Sequence, residues 1–198
     1  LTPAVYTVMP WANGKGTTTE LCREDRDGVM LWRLSRAAVV EDGPFSLFPG
    51  INRNLTVISG PGFELAGAGI WLAARPFQPV AFSGDVPVRA EGVTAPSDDF
   101  NVMVSCDLPP AIVIVTSEAQ RITPLQAGLI GIYALEPVTV DGKRLAPADL
   151  ALSRHMLFTD LSDAEFVKIA ESHVEALNHA LARVPREKVR VHICWGNY

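Results

Sequence analysis

Short apolar segments separated by glycine and proline turns dominate the first 150 residues of the chain. Several of them are compact apolar runs or alternate apolar with polar positions, a pattern typical of β-strands. The predicted strands are Leu31–Val40, Leu55–Ser59, Val80–Phe82, Phe100–Ser105, Ala111–Thr116 and Leu129–Leu135. Many short strands with regular turns predict a mostly β fold, a closed barrel or jelly roll that hides its sheet edges.

A hairpin is predicted over Val138–Leu145, where two alternating runs flank Asp141-Gly142. Tight hairpin turns need positive φ at their central residues, and an Asp-Gly pair accepts this conformation.

The pattern becomes helical after residue 150. Ser162 and Glu165 have the spacing of a capping box, which marks a helix start. Apolar residues then recur at spacings of three and four and predict an amphipathic helix of about 20 residues that ends before Pro185. An alternating strand follows at Val189–Cys194. We therefore predict two regions, 1–150 and 151–198, the second a C-terminal helix and strand.

Composition narrows the classes of function. The chain has 198 residues and a formal net charge of −5, which argues against nucleic acid as a partner because phosphate binding needs a basic surface. It has no apolar run of about 18 residues and no leader pattern, so we expect neither a membrane span nor a signal peptide. Cys22, Cys106 and Cys194 are odd in number and far apart, which favours a reducing, cytoplasmic location.

Six motifs between residues 10 and 103 carry a resemblance to a known family. They read PWANGKGTTTE at 10–20, WRLS at 32–35, DGPFSLFPG at 42–50, RNLT at 53–56, PVAFSGD at 79–85 and DFNVM at 99–103. In this order they resemble the HutD/Ves family, and the resemblance extends over about residues 1–150.

The HutD/Ves resemblance implies a bicupin, two small antiparallel cupin barrels packed together, here with a truncated or altered second half. It also implies a protein of bacterial histidine catabolism that binds a pathway intermediate, such as urocanate or N-formylglutamate, and moderates flux. No established reaction comes with it, so enzymatic activity stays open.

Residues 1–154 contain no histidine. Cupin enzymes usually hold a metal with two or three histidines and a glutamate, and such a site cannot be built without imidazole. The barrel region is therefore predicted to bind a small molecule without a cofactor, and binding is favoured over catalysis.

Arg33 is the predicted anchor for an organic carboxylate. Alternation places Arg33 and Ser35 on one face of their strand and Trp32 and Leu34 on the other. A guanidinium inside the barrel requires a carboxylate partner, from a ligand or from the protein. The second alternative is a structural ion pair with Glu20 or Asp99.

Other candidate ligand-binding residues come from a loop and a second strand. Asn13, Lys15 and Thr17 belong to a polar loop that can close over an anion, or else form a turn that leads into a strand. Asp99 and Asn101 share one strand face and can line the Arg33 pocket, although Asp99 can equally cap a turn.

Residues from about 148 to 198 resemble a fragment of the cobalamin-independent methionine synthase-like family. In that family a His-x-Cys pair helps to hold a catalytic zinc ion, and the matching residues are His192 and Cys194. The pair is only half of a zinc site. An alternative function is thus a zinc-dependent, methyltransferase-like fragment. A homodimer is a further expectation.

Overall fold

A computed structural model of the chain describes residues 1–11, 16–122 and 128–155, and the single positions 168 and 171. Contacts divide the chain into two compact units. The first comprises Leu1–Thr123 and Gly131–Ser153, and the second comprises Pro124–Ile130 and Arg154–Tyr198. In the second unit the described residues are the strand positions 128–130 and 154–155 and two exposed residues, Lys168 and Glu171. Apart from those two positions, the predicted C-terminal helix and strand lie outside the described residues.

The described residues form fourteen strands and one 3-10 turn at Pro3–Val5. The strands are β1 (Thr7–Pro10), β2 (Thr17–Arg26), β3 (Val29–Val39), β4 (Gly43–Pro44), β5 (Ile51–Ser59), β6 (Phe63–Gly67), β7 (Ile70–Ala74), β8 (Val80–Ser83), β9 (Arg89–Glu91), β10 (Ser97–Ser105), β11 (Gly128–Tyr133), β12 (Val138–Val140), β13 (Lys143–Leu145) and β14 (Leu150–His155).

Two antiparallel sheets dominate the first unit. One has six strands in the order β1-β2-β3-β10-β5-β8, and the other has four in the order β4-β9-β6-β7. An apolar core draws Leu55 and Val57 from the six-stranded sheet and Phe63 and Leu65 from the four-stranded sheet, all at most 1% exposed. We call the face of the six-stranded sheet that carries Leu55 and Val57 its inner face.

Strand β10 shows why the inner face is partly polar. Its residues alternate strictly between buried and half-buried positions, as a strand covered on both sides requires. The buried set is Ser97, Asp99, Asn101, Met103 and Ser105. Four of these five side chains are polar, so the centre of the sheet brings hydrogen-bonding groups into the interior.

Part of the outer face of the same sheet is apolar and covered. Leu21, Leu34 and Leu150 form a second buried cluster there. The Tyr133 ring packs against it and stacks on Phe100 with 4.8 Å between ring centres. Strand β11 pairs with β14 in a two-stranded sheet that supplies Tyr133 and Leu150.

The mostly β prediction and the Asp-Gly hairpin are confirmed. Strands β12 and β13 pair antiparallel, with Val140 opposite Lys143. Asp141 and Gly142 connect them with φ values of 47° and 75°. Positive φ at both central residues is what a type I′ turn requires.

The closed barrel and one predicted strand are wrong for the described residues. The six-stranded sheet ends at β1 and β8 and the four-stranded sheet at β4 and β7, so both are open. Each sheet buries the other's face, which excludes water without closing a ring. Residues 111–116 form no strand although their β-propensity is high, and Ile112 is 82% exposed. Propensity alone does not form a strand where no neighbour supplies the ladder. No helix among the described residues has the length and apolar composition needed to cross a bilayer.

Candidate functional site

Arg33 lies on the inner face of β3 and is paired with Glu20. Its Nε atom is 2.8 Å from Oε2 of Glu20, and the residue is only 9% exposed. The atoms lack the direction of a hydrogen bond, so the contact is an ion pair. A register shift in β2 after Glu20 places this residue opposite Ser35, on the inner side. Of the two alternatives for Arg33, the structural ion pair is therefore the one observed.

Asp99 and Asn101 lie side by side on the inner face of β10. Asp99 is fully buried and Asn101 is 4% exposed. The Nδ2 group of Asn101 donates to Oδ1 of Asp99, while Oδ2 of Asp99 has no hydrogen-bond partner. The register pairs Asn101 with Ser35 on β3. Asp99 thus belongs to the inner face with Arg33 and Ser35 and does not cap a turn.

Arg53 is the buried cation that sequence reasoning missed. It lies on the inner face of β5, is 6% exposed, and makes no ion pair with any described residue. Its Nη2 donates to Oδ1 of Asn101 at 2.9 Å, and its Nη1 donates weakly to the carbonyl of Ser46 at 3.4 Å. Its Nε has no hydrogen-bond partner among the described residues. The described groups that hydrogen-bond to this guanidinium are therefore both neutral.

Three aromatic rings surround the Arg53 guanidinium. Its Cζ atom lies 5.3 Å from the ring centre of Phe45, 5.4 Å from that of Phe48 and 4.9 Å from that of Phe82. Phenylalanine faces attract cations at such distances but do not neutralise them. Phe45 and Phe48 come from the DGPFSLFPG motif, so this motif supplies two of the three rings.

Burial shifts the pKa values of both ionisable groups around Asn101. Loss of water around Arg53 lowers the pKa of its guanidinium to about 10, with Asp99 opposing the shift and Arg33 adding to it. Burial raises the pKa of Asp99 to about 7, and Arg53 and the Asn101 hydrogen bond act against the rise. Arg53 therefore stays positively charged near neutral pH, while Asp99 is divided between its two states.

Comparison with known proteins identifies the family. The family model described as HutD matches residues 4–172. The chain belongs to the HutD family. This family is associated with the histidine utilisation locus.

Individual relatives of this HutD-family chain come from Pseudomonas. An uncharacterised 21.2 kDa protein in the hutC 3′ region of Pseudomonas putida is 39% identical over 103 residues, which cover 50% of this chain and 53% of that protein. The match thus spans about half the length of that relative.

Two solved structures are similar in fold. The HutD structure from Pseudomonas fluorescens SBW25, in a formate condition, has a TM-score of 0.60 and 29% identity, covering 77% of this chain and 89% of that chain. A conserved protein of unknown function from Pseudomonas aeruginosa PAO1 has a TM-score of 0.62 and 27% identity, covering 79% and 86%. With the two open sheets, these likenesses support a mostly β fold similar to that of the HutD structure.

The HutD match also extends into the tail region. It continues to residue 172, beyond the limit of about 150 set by the motifs. The resemblance of residues 148–198 to methionine synthase-like proteins has no support in the comparisons. His192 and Cys194 lie outside the described residues. Among the residues that the structure describes, no cluster of metal-binding side chains occurs.

Of the remaining candidate ligand-binding residues, the structure describes Thr17 but not Asn13 or Lys15. Thr17 begins β2 and is exposed. Asn13 and Lys15 lie outside the described residues.

Arg53 could have been found from the sequence, because it stands two positions before Leu55, the first residue of a predicted strand. The prediction started that strand too late, so the alternation that places Arg53 beside Leu55 on one face was not applied.

A cavity of about 280 Å³ borders β5 and β8, and Arg53 and Phe82 belong to its lining. Asn52, Asn54 and Val102 line it as well. These positions alternate with Arg53 and Asn101 along their strands, so their side chains leave the sheet on the outer face. The polar groups that could hold an anion lie on the inner face.

Proposed function

We propose that this HutD-family protein binds a small organic carboxylate on the inner face of its six-stranded sheet and thereby moderates histidine catabolism. Arg53 is the anchor, and Arg33, Ser35, Asp99 and Asn101 are its polar surroundings. Urocanate and N-formylglutamate are the proposed ligands, since the motifs that imply them belong to the family to which the chain belongs.

The observation that carries the proposal is that Arg53 is buried without a direct ion pair to any described residue. An ionised side chain inside a protein is costly unless it is paired, and Arg53 has only an amide oxygen, a carbonyl and three aromatic faces. A carboxylate from a ligand would supply the missing negative charge. Guanidinium–carboxylate pairs are also among the strongest charged hydrogen bonds in proteins.

Arg33 has a secondary role in this proposal. Glu20 already compensates its charge, so its guanidinium adds positive potential near Arg53 without being free to pair. Ser35 and Asn101 face each other across β3 and β10 and add neutral hydrogen-bonding capacity. Asn13 and Lys15, together with Thr17 at the start of β2, stay in the proposal as further groups that contact the anion.

Titration calorimetry with urocanate and with N-formylglutamate tests the proposal. We expect one of them to bind, and we expect Arg53→Met to weaken binding by about tenfold or more, since truncating one partner of a buried charge pair costs at least that much. Arg89→Met is the matched control, because Arg89 is exposed on the four-stranded sheet beside Glu91. Silence with both ligands would remove them from the proposal, and unchanged affinity in Arg53→Met would remove Arg53 as the anchor.

A further inference from the structure

One amide side chain joins the buried cation to a buried acid. Asn101 accepts from Nη2 of Arg53 through Oδ1 and donates to Oδ1 of Asp99 through Nδ2. The reverse orientation would place the amide NH₂ against the guanidinium, so both neighbours fix the amide in this position. We call this hydrogen-bonded chain of Arg53, Asn101 and Asp99 the relay. Outside it, Oδ2 of Asp99 and Nε of Arg53 have no hydrogen-bond partner in the described part of the chain.

We propose that Asp99 is a positioning residue that sets the anion affinity of Arg53 through Asn101, and that it takes up one proton from solvent when an organic anion binds. The inference rests on the proposed function. Before binding, ionised Asp99 is the negative charge that partly balances Arg53. When a ligand carboxylate takes that place, the carboxylate of Asp99 is converted to a carboxylic acid and the total charge of the site is unchanged.

Burial makes this exchange necessary. Asp99 has no exposed surface, so water does not screen it from an anion held at Arg53. Two negative charges around one buried cation repel each other strongly at low effective dielectric. Protonation of one of them removes the repulsion, as occurs where two carboxylates share a buried site.

The other charged groups near Asp99 do not substitute for it. Arg33 on β3 is compensated by Glu20 on β2. Arg36 on β3 and Asp98 on β10 pair with each other at 3.5 Å and are part-exposed. From β5 and β3, the residues directly opposite Asp99 are Val57 and Ala37, which carry no charge. Asp99 is thus the fully buried acid that the relay connects to Arg53.

The direction of the pH dependence follows from the state of Asp99. Its pKa of about 7 means that raising the pH through neutrality ionises it in the free protein. The ionised acid then competes with the ligand for the field of Arg53. Anion affinity should therefore fall as the pH rises, with a slope of at most about one proton per anion bound.

Calorimetry with N-formylglutamate tests the exchange, because its carboxyl groups do not titrate near neutral pH. We expect Kd to rise about tenfold from about pH 6 to about pH 8.5. The heats in phosphate and Tris buffers should report uptake of up to about half a proton at pH 7 and of nearly one proton at about pH 8. Asp99→Asn, an isosteric neutral variant, should abolish the uptake and bind with a pH-independent Kd. Asp98→Asn is the neighbouring control and should keep the proton uptake and the fall of affinity with pH, at a lower midpoint because Asp98 contributes to the raised pKa of Asp99.

Each outcome is decisive. Anion binding with no proton uptake and no pH dependence in the wild-type protein overturns this inference and leaves the proposed function standing. Uptake that persists in Asp99→Asn assigns the proton to another group and also overturns it. Absence of any anion binding removes the proposed function and this inference together. If Asp99→Asn does not fold, Asp99→Ser replaces it and should likewise abolish the uptake.

Discussion

Two arginines lie on the same inner face, and their partners give them different roles. Arg33 has the carboxylate of Glu20 at 2.8 Å, which satisfies its charge within the protein. Arg53 has no carboxylate at that range among the described residues and is surrounded by three aromatic rings. Since a buried, unpaired charge is rarely retained for stability alone, Arg53 is the residue on which the function should depend.

Asp99 should make the stability of the protein depend on pH in a sense opposite to that of a salt-bridged acid. Its pKa rises from 3.8 to about 7 on folding. Between these values the folded state binds one more proton than the unfolded state, so this residue's contribution to stability falls as the pH rises through that window. Asp99→Asn removes the titration and should stabilise the protein at about pH 8, by on the order of a few kcal/mol relative to its effect at about pH 5.

Urea denaturation of wild type and Asp99→Asn at both pH values measures this difference. Asp98→Asn again serves as the neighbouring control, since Asp98 is part-exposed and pairs with Arg36. A free-energy difference between wild type and Asp99→Asn that is the same at both pH values would show that Asp99 does not titrate in this window.

The alternation along the chain predicted the polar inner face better than it predicted the anchor. Arg33, Ser35, Asp99 and Asn101 were selected from two strand segments, and all four lie on that face. Their partners depend on register, which a single sequence does not contain. The bulge after Glu20 and the pairing of Met103 with Arg53 are products of sheet assembly. For this reason the ion pair of Arg33 was one of two alternatives, and Arg53 was missed.

At the scale of elements, the conformation of a turn was predictable from its residues, but the pairing of a strand with its neighbours was not. The Asp-Gly pair specifies its hairpin through backbone preference alone. Residues 111–116 have strong β-propensity but no neighbouring strand in the described structure, so they form no ladder. A strand forms only when it is hydrogen-bonded to a neighbouring strand, so the sequence of one segment alone cannot establish that it is a strand.

The turn between β5 and β6 gives a test at this scale. A Cβ atom on Gly60 would lie 2.3 Å from the carbonyl oxygen of Pro96, and the φ of Gly60 is +85°. Gly60→Ala should therefore combine backbone strain with a clash against the start of β10, and we expect a loss of about 3 kcal/mol or more in the free energy of unfolding.

Gly142→Ala is the control for the Gly60 prediction. Gly142 also has positive φ, at +75°, but a Cβ atom there meets nothing within 4 Å. Its loss should be limited to the strain, about 1 kcal/mol. Chemical denaturation compares the two variants. Equal losses would mean that the backbone before β10 moves aside without cost, and that the turn does not hold the two strands together.

At the scale of the whole molecule, the chain combines a mostly β fold with two packed sheets that contain no imidazole. Two antiparallel sheets enclose a core that is apolar at Leu55 and Val57 and polar around Asn101. Histidine is absent from residues 1–154. Nitrogen ligands for a transition metal are thus missing from the sheets, and a guanidinium occupies the interior. This combination favours recognition of an anion by charge and hydrogen bonds.

Metal removal tests whether anion binding by this chain is independent of a metal ion. Because the proposed site uses Arg53, Asn101 and Asp99, none of which needs a metal to hold an organic anion, treatment with EDTA should leave the Kd for N-formylglutamate unchanged. Elemental analysis of the purified protein should find zinc well below one atom per chain, since His192 and Cys194 alone provide only half of a zinc site. Stoichiometric zinc that disappears in a His192→Ala, Cys194→Ser variant, together with loss of anion binding on chelation, would transfer the function from the inner face to the tail. Loss of zinc without loss of binding would leave Arg53 as the anchor, because the two sites would then be independent.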